Sequence, residues 1–478
     1  MLKLVKGASL LALGACLLVA CADKPLGKGP GSGQGTAAKA KAGPGETRAA
    51  KAKRRNLPPP PRQAADRFFK ALVAKKFKKA ASYFDKTMAR VMGPQRLAQA
   101  WGQLLAGGGA YKDVKAVRQH KVRGYNQVVY TVELAQKTVN VQIAIDAAGK
   151  VSGLYYRPVV EASKRPPPPY SDKTRLREVT LEIGKAPWKL PATLTLPVLP
   201  HKGRAAPKGK SRPGERPPRW PAVVLVHGSG PHDRDETVGP NKPFRDLAWG
   251  LASRGVAVLR YEKRTKAHRE EVTKALATLT VKEETIDDAV AAVRTLAPRA
   301  DIDPKRIVVL GHSLGGYLLP RIVASRGDAP IAGLIFMAAN ARPLEVLVLE
   351  QFRYLAEVDG RITGHEKKRL EHVAAKIARL RKGITAKTPR HQLPLNLTAA
   401  YWLDLQRYKP LVAVKKIRLP MLFLQGKRDY QVTLKDLAAW RRTLGKRARY
   451  KVYPKANHLL IDGEGKPRPQ EYKRPAYV

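Results

Sequence analysis

The stretch Arg306–Pro320 reads RIVVLGHSLGGYLLP. Ile307–Leu310 is a short apolar run closed by Gly311, which reads as a strand buried on both faces. From about Gly315 the apolar residues continue with helical character. Ser313 lies between Gly311 and Gly315, at the turn between the two. A sharp strand-to-helix turn strains the serine backbone and points its hydroxyl outward. A side chain at either flanking glycine would clash within that turn. The same turn aims the helix N-terminus and the amide of Leu314 at any oxyanion formed beside Ser313. G-x-S-x-G is short enough to arise by chance, so its surroundings have to decide what it means.

Outward from this stretch, apolar runs alternate with helical segments: AVVLVHG, VAVLRY, AGLIFMAA, PMLFLQG and RYKVYP. Such strands imply a mainly parallel sheet covered by helices, an α/β architecture. Ligands of such sheets bind beyond the carboxyl ends of the strands. Asp429 follows the run Met421–Leu424, and His458 follows Arg449–Tyr453. A serine hydroxyl is a weak nucleophile without a base. His458 can take its proton, and Asp429 can orient the imidazole. The chain order Ser…Asp…His is that of α/β hydrolases. Asp436 is the nearest rival to Asp429, but it falls on a predicted helix. The loop after AVVLVHG offers the amide of Ser229 as a second oxyanion donor, with His227 shaping that loop. His227 and His232 lack a third ligand at metal-binding spacing, and the chemistry needs no cofactor. Asp235 and Asn241 read as loop-fixing residues.

Residues 342–410 interrupt the strand pattern and read as a helical cap. One cap helix places Leu370, Val373, Ile377 and Leu380 on one face. Tyr401, Trp402 and Leu405 are candidates for an apolar wall over the site.

The segment from His227 to Thr265, together with GHSLGG, YWLDLQRYKP and LFLQGKRDYQV, resembles a group of bacterial α/β-hydrolase-fold carboxylesterases. The resemblance covers roughly residues 64–470. It implies a mixed eight-stranded sheet, a helical cap, and hydrolysis of small carboxylic esters. Short- to medium-chain acyl groups would pass through an acyl-enzyme. The basic insertion His201–Trp220 departs from the pattern without touching the three catalytic candidates. Two alternatives stay open. One is a serine peptidase or acyltransferase using the same three residues. The other is a non-catalytic, anchored protein that binds anionic envelope polymers.

The chain has 478 residues, enough for two domains with appendages. Residues 1–20 read as a signal peptide, with Lys3 and Lys6 before an apolar run too short to span a bilayer. Leu18-Val19-Ala20-Cys21 resembles the lipobox of bacterial lipoproteins, which implies lipidation of Cys21. With Ala22 rather than an aspartate next, that resemblance implies a lipid-anchored envelope protein, the outer membrane favoured over the inner. Both cysteines, Cys16 and Cys21, lie in this segment, so the folded domains hold no disulfide. Residues 21–62 read as a disordered basic tether. Residues 63–160 read as an α+β domain resembling the nuclear-transport-factor-like cone. Residues 161–173 read as a proline-rich linker, and 174–478 as the catalytic domain. Lys and Arg number 91 against 38 Asp and Glu, a net +53 that favours non-specific anionic surfaces. No sequence-specific nucleic-acid motif is present.

Overall fold

The computed structural model describes residues 60–122, 125–158, 166–198 and 219–478. Cys21, most of the tether and residues 201–218 of the basic insertion lie outside the described residues, while Trp220, expected to end that insertion, opens a strand. The chain divides into two compact units, Asp23–Glu161 and Ala162–Val478.

In the first unit, helices α1 (Pro61–Val73) and α2 (Pro94–Ala106) are separated by two short helical turns. A four-stranded antiparallel sheet follows: β1 (Tyr111–Val122), β2 (Tyr125–Leu134), β3 (Thr138–Ile145) and β4 (Val151–Pro158), in that order across the sheet. Phe68, Leu72, Leu97 and Trp101 from the helices pack against Val128, Val132, Val141 and Ile143. The β3–β4 turn forms at Asp146–Gly149, where the Asp146 carboxylate accepts from the amides of Ala148 and Lys150. Gly149 takes φ +73°, a backbone region open to glycine. β1 is not foreseen from the sequence. Its residues YKDVKAVRQHKV carry five basic side chains, and as an edge strand it has no buried residue among 111–120, those whose burial is described, to show a period of two.

The second unit is built on an eight-stranded sheet of β5 (Leu176–Ile183), β6 (Leu190–Pro197), β7 (Trp220–Val226), β8 (Ala257–Tyr261), β9 (Ile302–His312), β10 (Gly333–Met337), β11 (Met421–Gly426) and β12 (Arg449–Tyr453). The spatial order is β12-β11-β10-β9-β7-β8-β6-β5. β5 and β6 pair antiparallel, and β7 to β12 pair parallel. The mixed eight-stranded sheet implied by the resemblance is therefore present.

Its apolar runs are explained by burial on both faces. In β7, Ala222, Val224 and Val226 belong to the large core under α4 (Asp287–Leu296) and α5 (Leu314–Ser325). Val223 and Leu225 face the other way, against Phe244 and Ala248 of α3 (Pro243–Ala252). Each such fully buried Val or Leu contributes roughly 1.5–3 kcal/mol, which favours unbroken aliphatic runs in the central strands.

Between β10 and β11 the chain forms the cap: α6 (Leu344–Glu357), α7 (Gly364–Lys382), α8 (Ala399–Arg407) and α9 (Pro410–Lys415). A last helix, α10 (Leu434–Leu444), follows β11. Thr363 and Glu366 close a capping box at the start of α7. Ile377 and Leu380 are buried, and Val373 packs against the same core.

Of the linker expected at 161–173, residues 166–173 are described. Pro168 is buried, and the Tyr170 ring lies against Gly250 of α3. Arg254 donates to the Tyr170 carbonyl at 2.7 Å, and Ser253 accepts from the Asp172 amide at 2.8 Å. Residues 166–172 thus run along the second unit. Among the described residues, no helix is long and apolar enough to cross a membrane.

Candidate active site

Ser313 sits between β9 and α5 with φ +51° and ψ −117°, a conformation that costs of order 1–3 kcal/mol for a non-glycine residue. The turn is held by its surroundings. The Ser313 amide donates to the Met337 carbonyl at 2.9 Å, and its carbonyl accepts from Tyr317 at 2.9 Å. A Cβ on Gly315 would lie 2.5 Å from the Val226 carbonyl oxygen, and one on Gly311 would meet the Gly315 carbonyl at the same distance. Neither neighbour is a side chain that can move aside, so the glycines are steric requirements of the turn. Leu314 is the first residue of α5, beside the serine.

Asp429 lies in the loop after β11 and His458 in the loop after β12, 4% exposed each. The two meet at 2.7 Å, His458 Nδ1 to Asp429 Oδ2. That oxygen also accepts from Gln425 Nε2, while Oδ1 accepts from the amides of Gln431 and Val432. The carboxylate is therefore locked in orientation. Gly426 makes room for the histidine loop: a Cβ there would lie 2.6 Å from the Asn457 carbonyl. Asp436 does other work. It is fully buried on α10 and accepts from the amides of Ala341 and Arg342, with Arg342 Nη2 2.7 Å from Oδ2. It anchors the segment that leads into the cap.

The loop after β7 lies against the serine, where a Cβ on Gly228 would be 3.2 Å from the Ser313 Cβ. The Gly228 amide donates to Glu236 Oε1 at 2.7 Å, so it is not available to an oxyanion. The next residue is Ser229, whose carbonyl is held by His232 Nε2 at 2.8 Å. His227 Nε2 bonds the Asp233 carbonyl at 3.0 Å, which shapes the loop as the sequence suggested. Burial pushes the His227 imidazole down to about 3. Asp235 pairs with Lys242 and Arg260, and Asn241 bridges the Tyr472 carbonyl and the Ala476 amide. Both fix the loop. Among the described residues no group of three metal-ligating side chains occurs.

Sequence reasoning overlooked a buried charged network behind this loop. Glu236, 1% exposed, has Oε2 3.0 Å from His312 Nδ1, close enough for an ion pair though out of line for a hydrogen bond. His312 Nε2 bonds the His458 carbonyl at 3.0 Å. Burial would raise the Glu236 carboxyl, but His312, His232 and His227 outweigh it and bring it down to about 2. Burial would lower His312, yet the Glu236 charge holds it above the ordinary histidine value. Further along, Lys263 Nζ donates to the Gly228 carbonyl at 2.8 Å and pairs with Glu284 at 3.1 Å. Tyr401 of cap helix α8 donates to Glu284 Oε2 at 2.6 Å. The only signal in the sequence was charged residues close to strand ends within apolar surroundings.

Beside Ser229 and Gly230 opens a small cavity of about 40 Å³, walled by Leu279, Leu344, Leu397 and Tyr401 among others. Of the three residues proposed as an apolar wall, Tyr401 takes that place. Trp402 is fully buried and donates to the Pro394 carbonyl. Leu405 lines a separate hollow with Tyr317 and Tyr408. The reason is helical phase: adjacent positions on α8 point about 100° apart.

The sheet order, the serine turn after β9 and the capped crossover before β11 define an α/β-hydrolase fold. The chain belongs to the alpha/beta hydrolase family, which matches residues 223–472. Residues 65–154 match a family described as a protein of unknown function (DUF3887). Over 418 residues, 87% of this chain and 92% of the relative, it is 34% identical to esterase EstD of Thermotoga maritima. Among solved structures, Est1E from Butyrivibrio proteoclasticus is 17% identical, covering 59% of this chain and 90% of that one with a TM-score of 0.38. A puromycin-hydrolyzing peptidase of Mycobacterium tuberculosis is 19% identical, covering 73% and 44% with a TM-score of 0.36. Structural likeness this distant carries no argument about chemistry.

Proposed function

We propose that the protein is a carboxylesterase acting through Ser313, His458 and Asp429. The observation that carries this is the 2.7 Å contact between Asp429 and His458 Nδ1, in loops that follow the strands on the same side as the strained Ser313 turn. The named activity of the esterase relative supports the same reaction class.

In the first step Ser313 Oγ attacks the acyl carbonyl carbon while His458 Nε2 takes the hydroxyl proton. Asp429 keeps Nδ1 protonated and steadies the imidazolium. The carbonyl oxygen becomes an oxyanion held by the amides of Ser229 and Leu314. Collapse expels the alcohol, which leaves with the proton from His458, and the acyl group stays on Ser313. A water then gives a proton to His458 and attacks the acyl-enzyme. The acid departs and the proton returns to Ser313. Every proton is accounted for by these residues and water, with no cofactor required. The walls of the cavity beside Ser229 suit a short- to medium-chain acyl group.

The test is hydrolysis of p-nitrophenyl acetate, butyrate and octanoate by the full chain. Turnover of acetate or butyrate, with a loss of at least about 10³-fold in Ser313→Ala, is expected. Wild type no faster than Ser313→Ala would favour the binding protein, and faster cleavage of aminoacyl amides than esters would favour the peptidase.

For localisation, we infer a lipid-anchored envelope protein, matured at Cys21. The support is the Leu18–Cys21 motif after a charged and apolar leader. Cys21→Ser should move the protein from the membrane fraction to the soluble fraction. Unchanged fractionation would refute the anchor.

A further inference from the structure

Lys263 lies just after β8, is 1% exposed, and has no part in the proton transfers above. An ammonium group in the interior is costly unless paired, and an apolar residue of similar size is often as stable there or more so. Stability alone does not account for this lysine. Its contacts do. Nζ donates to the Gly228 carbonyl at 2.8 Å and pairs with Glu284 Oε1 at 3.1 Å. The Lys263 backbone amide donates to the His232 carbonyl at 3.0 Å. One residue thus grips the loop after β7 at two points.

The first grip falls on a particular peptide unit. The Gly228 carbonyl and the Ser229 N–H belong to one planar group, and the bond between them is trans. In a trans peptide the two point in opposite directions, so holding the oxygen sets the direction of the N–H. The groups on either side are held as well. The Gly228 amide donates to Glu236 Oε1 at 2.7 Å, and the Ser229 carbonyl accepts from His232 Nε2 at 2.8 Å. A peptide plane can still turn about its two flanking single bonds when its neighbours are fixed, and the Lys263 contact opposes that turn. The unit lies beside the nucleophile, since a Cβ on Gly228 would be 3.2 Å from the Ser313 Cβ. A cation on the carbonyl oxygen also polarises the amide and strengthens its N–H as a donor.

Lys263 is held in turn. Glu284 belongs to a π-helical turn, Lys282–Ile286, of a kind that recurs at functional sites. Its Oε2 accepts from Tyr401 of cap helix α8 at 2.6 Å. The contacts therefore run unbroken from the cap through Glu284 and Lys263 to the Gly228–Ser229 peptide.

We propose that Lys263 is a positioning residue of the oxyanion hole: its Nζ fixes and polarises the Gly228–Ser229 peptide, while Glu284, tied to the cap by Tyr401, holds Nζ in place. The inference rests on the esterase reading above, in which the Ser229 amide is an oxyanion donor.

The test compares p-nitrophenyl butyrate with its thiono counterpart, which carries C=S in place of the acyl C=O, on the full chain. Sulfur is a weak hydrogen-bond acceptor. An intact oxyanion hole therefore prefers the oxygen ester, whereas a fault in Ser313 or His458 slows both esters alike. Removing one oxyanion donor outright costs about 10²- to 10³-fold in kcat. Misdirecting it in Lys263→Met should cost about 10- to 10²-fold, with KM within about threefold of wild type. The preference for the oxygen ester should shrink by about the same factor. Lys263→Met also strands the Glu284 charge, so Lys263→Met combined with Glu284→Gln is measured beside it. The double variant should melt above the single one and show the same reduced preference.

An oxygen preference that stays at the wild-type value in both variants, whatever the loss in kcat, would show that Lys263 only supports the fold. That result overturns the proposal and leaves the esterase reading intact. Failure of wild type to cleave p-nitrophenyl butyrate would instead overturn the esterase reading, and the proposal with it.

Discussion

Glu236 Oε2 and His312 Nδ1 lie 3.0 Å apart beneath the serine turn, and each holds a different part of the site. Glu236 binds the Gly228 amide, and His312 binds the His458 carbonyl. The pair therefore spaces the loop bearing Ser229 from the loop bearing the base. Removing one member of a buried pair costs about 3–5 kcal/mol. It also frees two loops whose displacement by about 1 Å can cost up to about 10²-fold in rate. Glu236→Gln is expected to lower both melting temperature and kcat, with a smaller effect on KM.

The pair also makes stability depend on pH. Glu236 falls from its ordinary value of 4.5 to about 2. Its contribution is present above 4.5 and is lost as the pH drops through its folded value. His312 is raised above its ordinary 6.5, so its contribution is full below 6.5 and is lost as the pH rises through the folded value. The difference in melting temperature between wild type and Glu236→Gln should be largest between pH 4.5 and 6.5. A difference that stays constant into the alkaline range would show that the ion pair is not formed.

Two buried aspartates close in sequence should behave oppositely. Asp429→Asn presents an amide to His458 Nδ1 and favours the wrong tautomer, which is expected to reduce kcat by about 10⁴-fold. The Asp429 Oδ1 contacts to Gln431 and Val432 can persist while the Gln425 contact to Oδ2 is lost, so the melting temperature should fall only modestly. Asp436→Asn weakens the grip on Arg342 and should lower the melting temperature markedly. Its residual kcat, measured well below the new melting temperature, should stay within about 10-fold of wild type. Equal kcat losses in the two variants would revive Asp436 as the catalytic acid.

Glycine substitutions separate steric need from ordinary flexibility. An alanine at Gly315 places its Cβ 2.6 Å from the His227 carbonyl, and one at Gly426 lies as close to the Asn457 carbonyl. Each should destabilise by about 1–3 kcal/mol or more and reduce kcat, since backbone near Ser229 or His458 must shift. Gly364, at the start of α7, has nothing within 4 Å of an added Cβ. Gly364→Ala should change stability by less than about 0.5 kcal/mol. Thermal melts and initial rates on the three variants settle the comparison.

The sequence revealed the second unit well because its strands are covered on both faces. Burial there demands unbroken aliphatic runs, and the functional residues follow where those runs end. Ser313, Asp429 and His458 could each be placed at a strand's carboxyl end for that reason. Charged residues mislead the same logic. Glu236, Lys263 and Glu284 carry charges that no aliphatic run marks as interior, yet all are at most 5% exposed. Their burial depends on partners distant in sequence, such as Lys263 with Gly228 and Glu284 with Tyr401. The π-turn at Lys282–Ile286 has no periodic signature over five residues. β1 is hidden for the converse reason, as an edge strand with no buried side chain among residues 111–120. Trp402 was misassigned because an apolar residue on α8 serves the core or the cavity according to helical phase alone.

The central claim is that Ser313 is the nucleophile. The most direct measurement is the mass of the intact protein after reaction with diethyl p-nitrophenyl phosphate, followed by peptide mapping. The wild-type chain should gain one diethylphosphoryl group, located on Ser313, in step with loss of ester hydrolysis. Ser313→Ala should gain none. Modification at another residue, or equal modification of wild type and Ser313→Ala, would contradict the account.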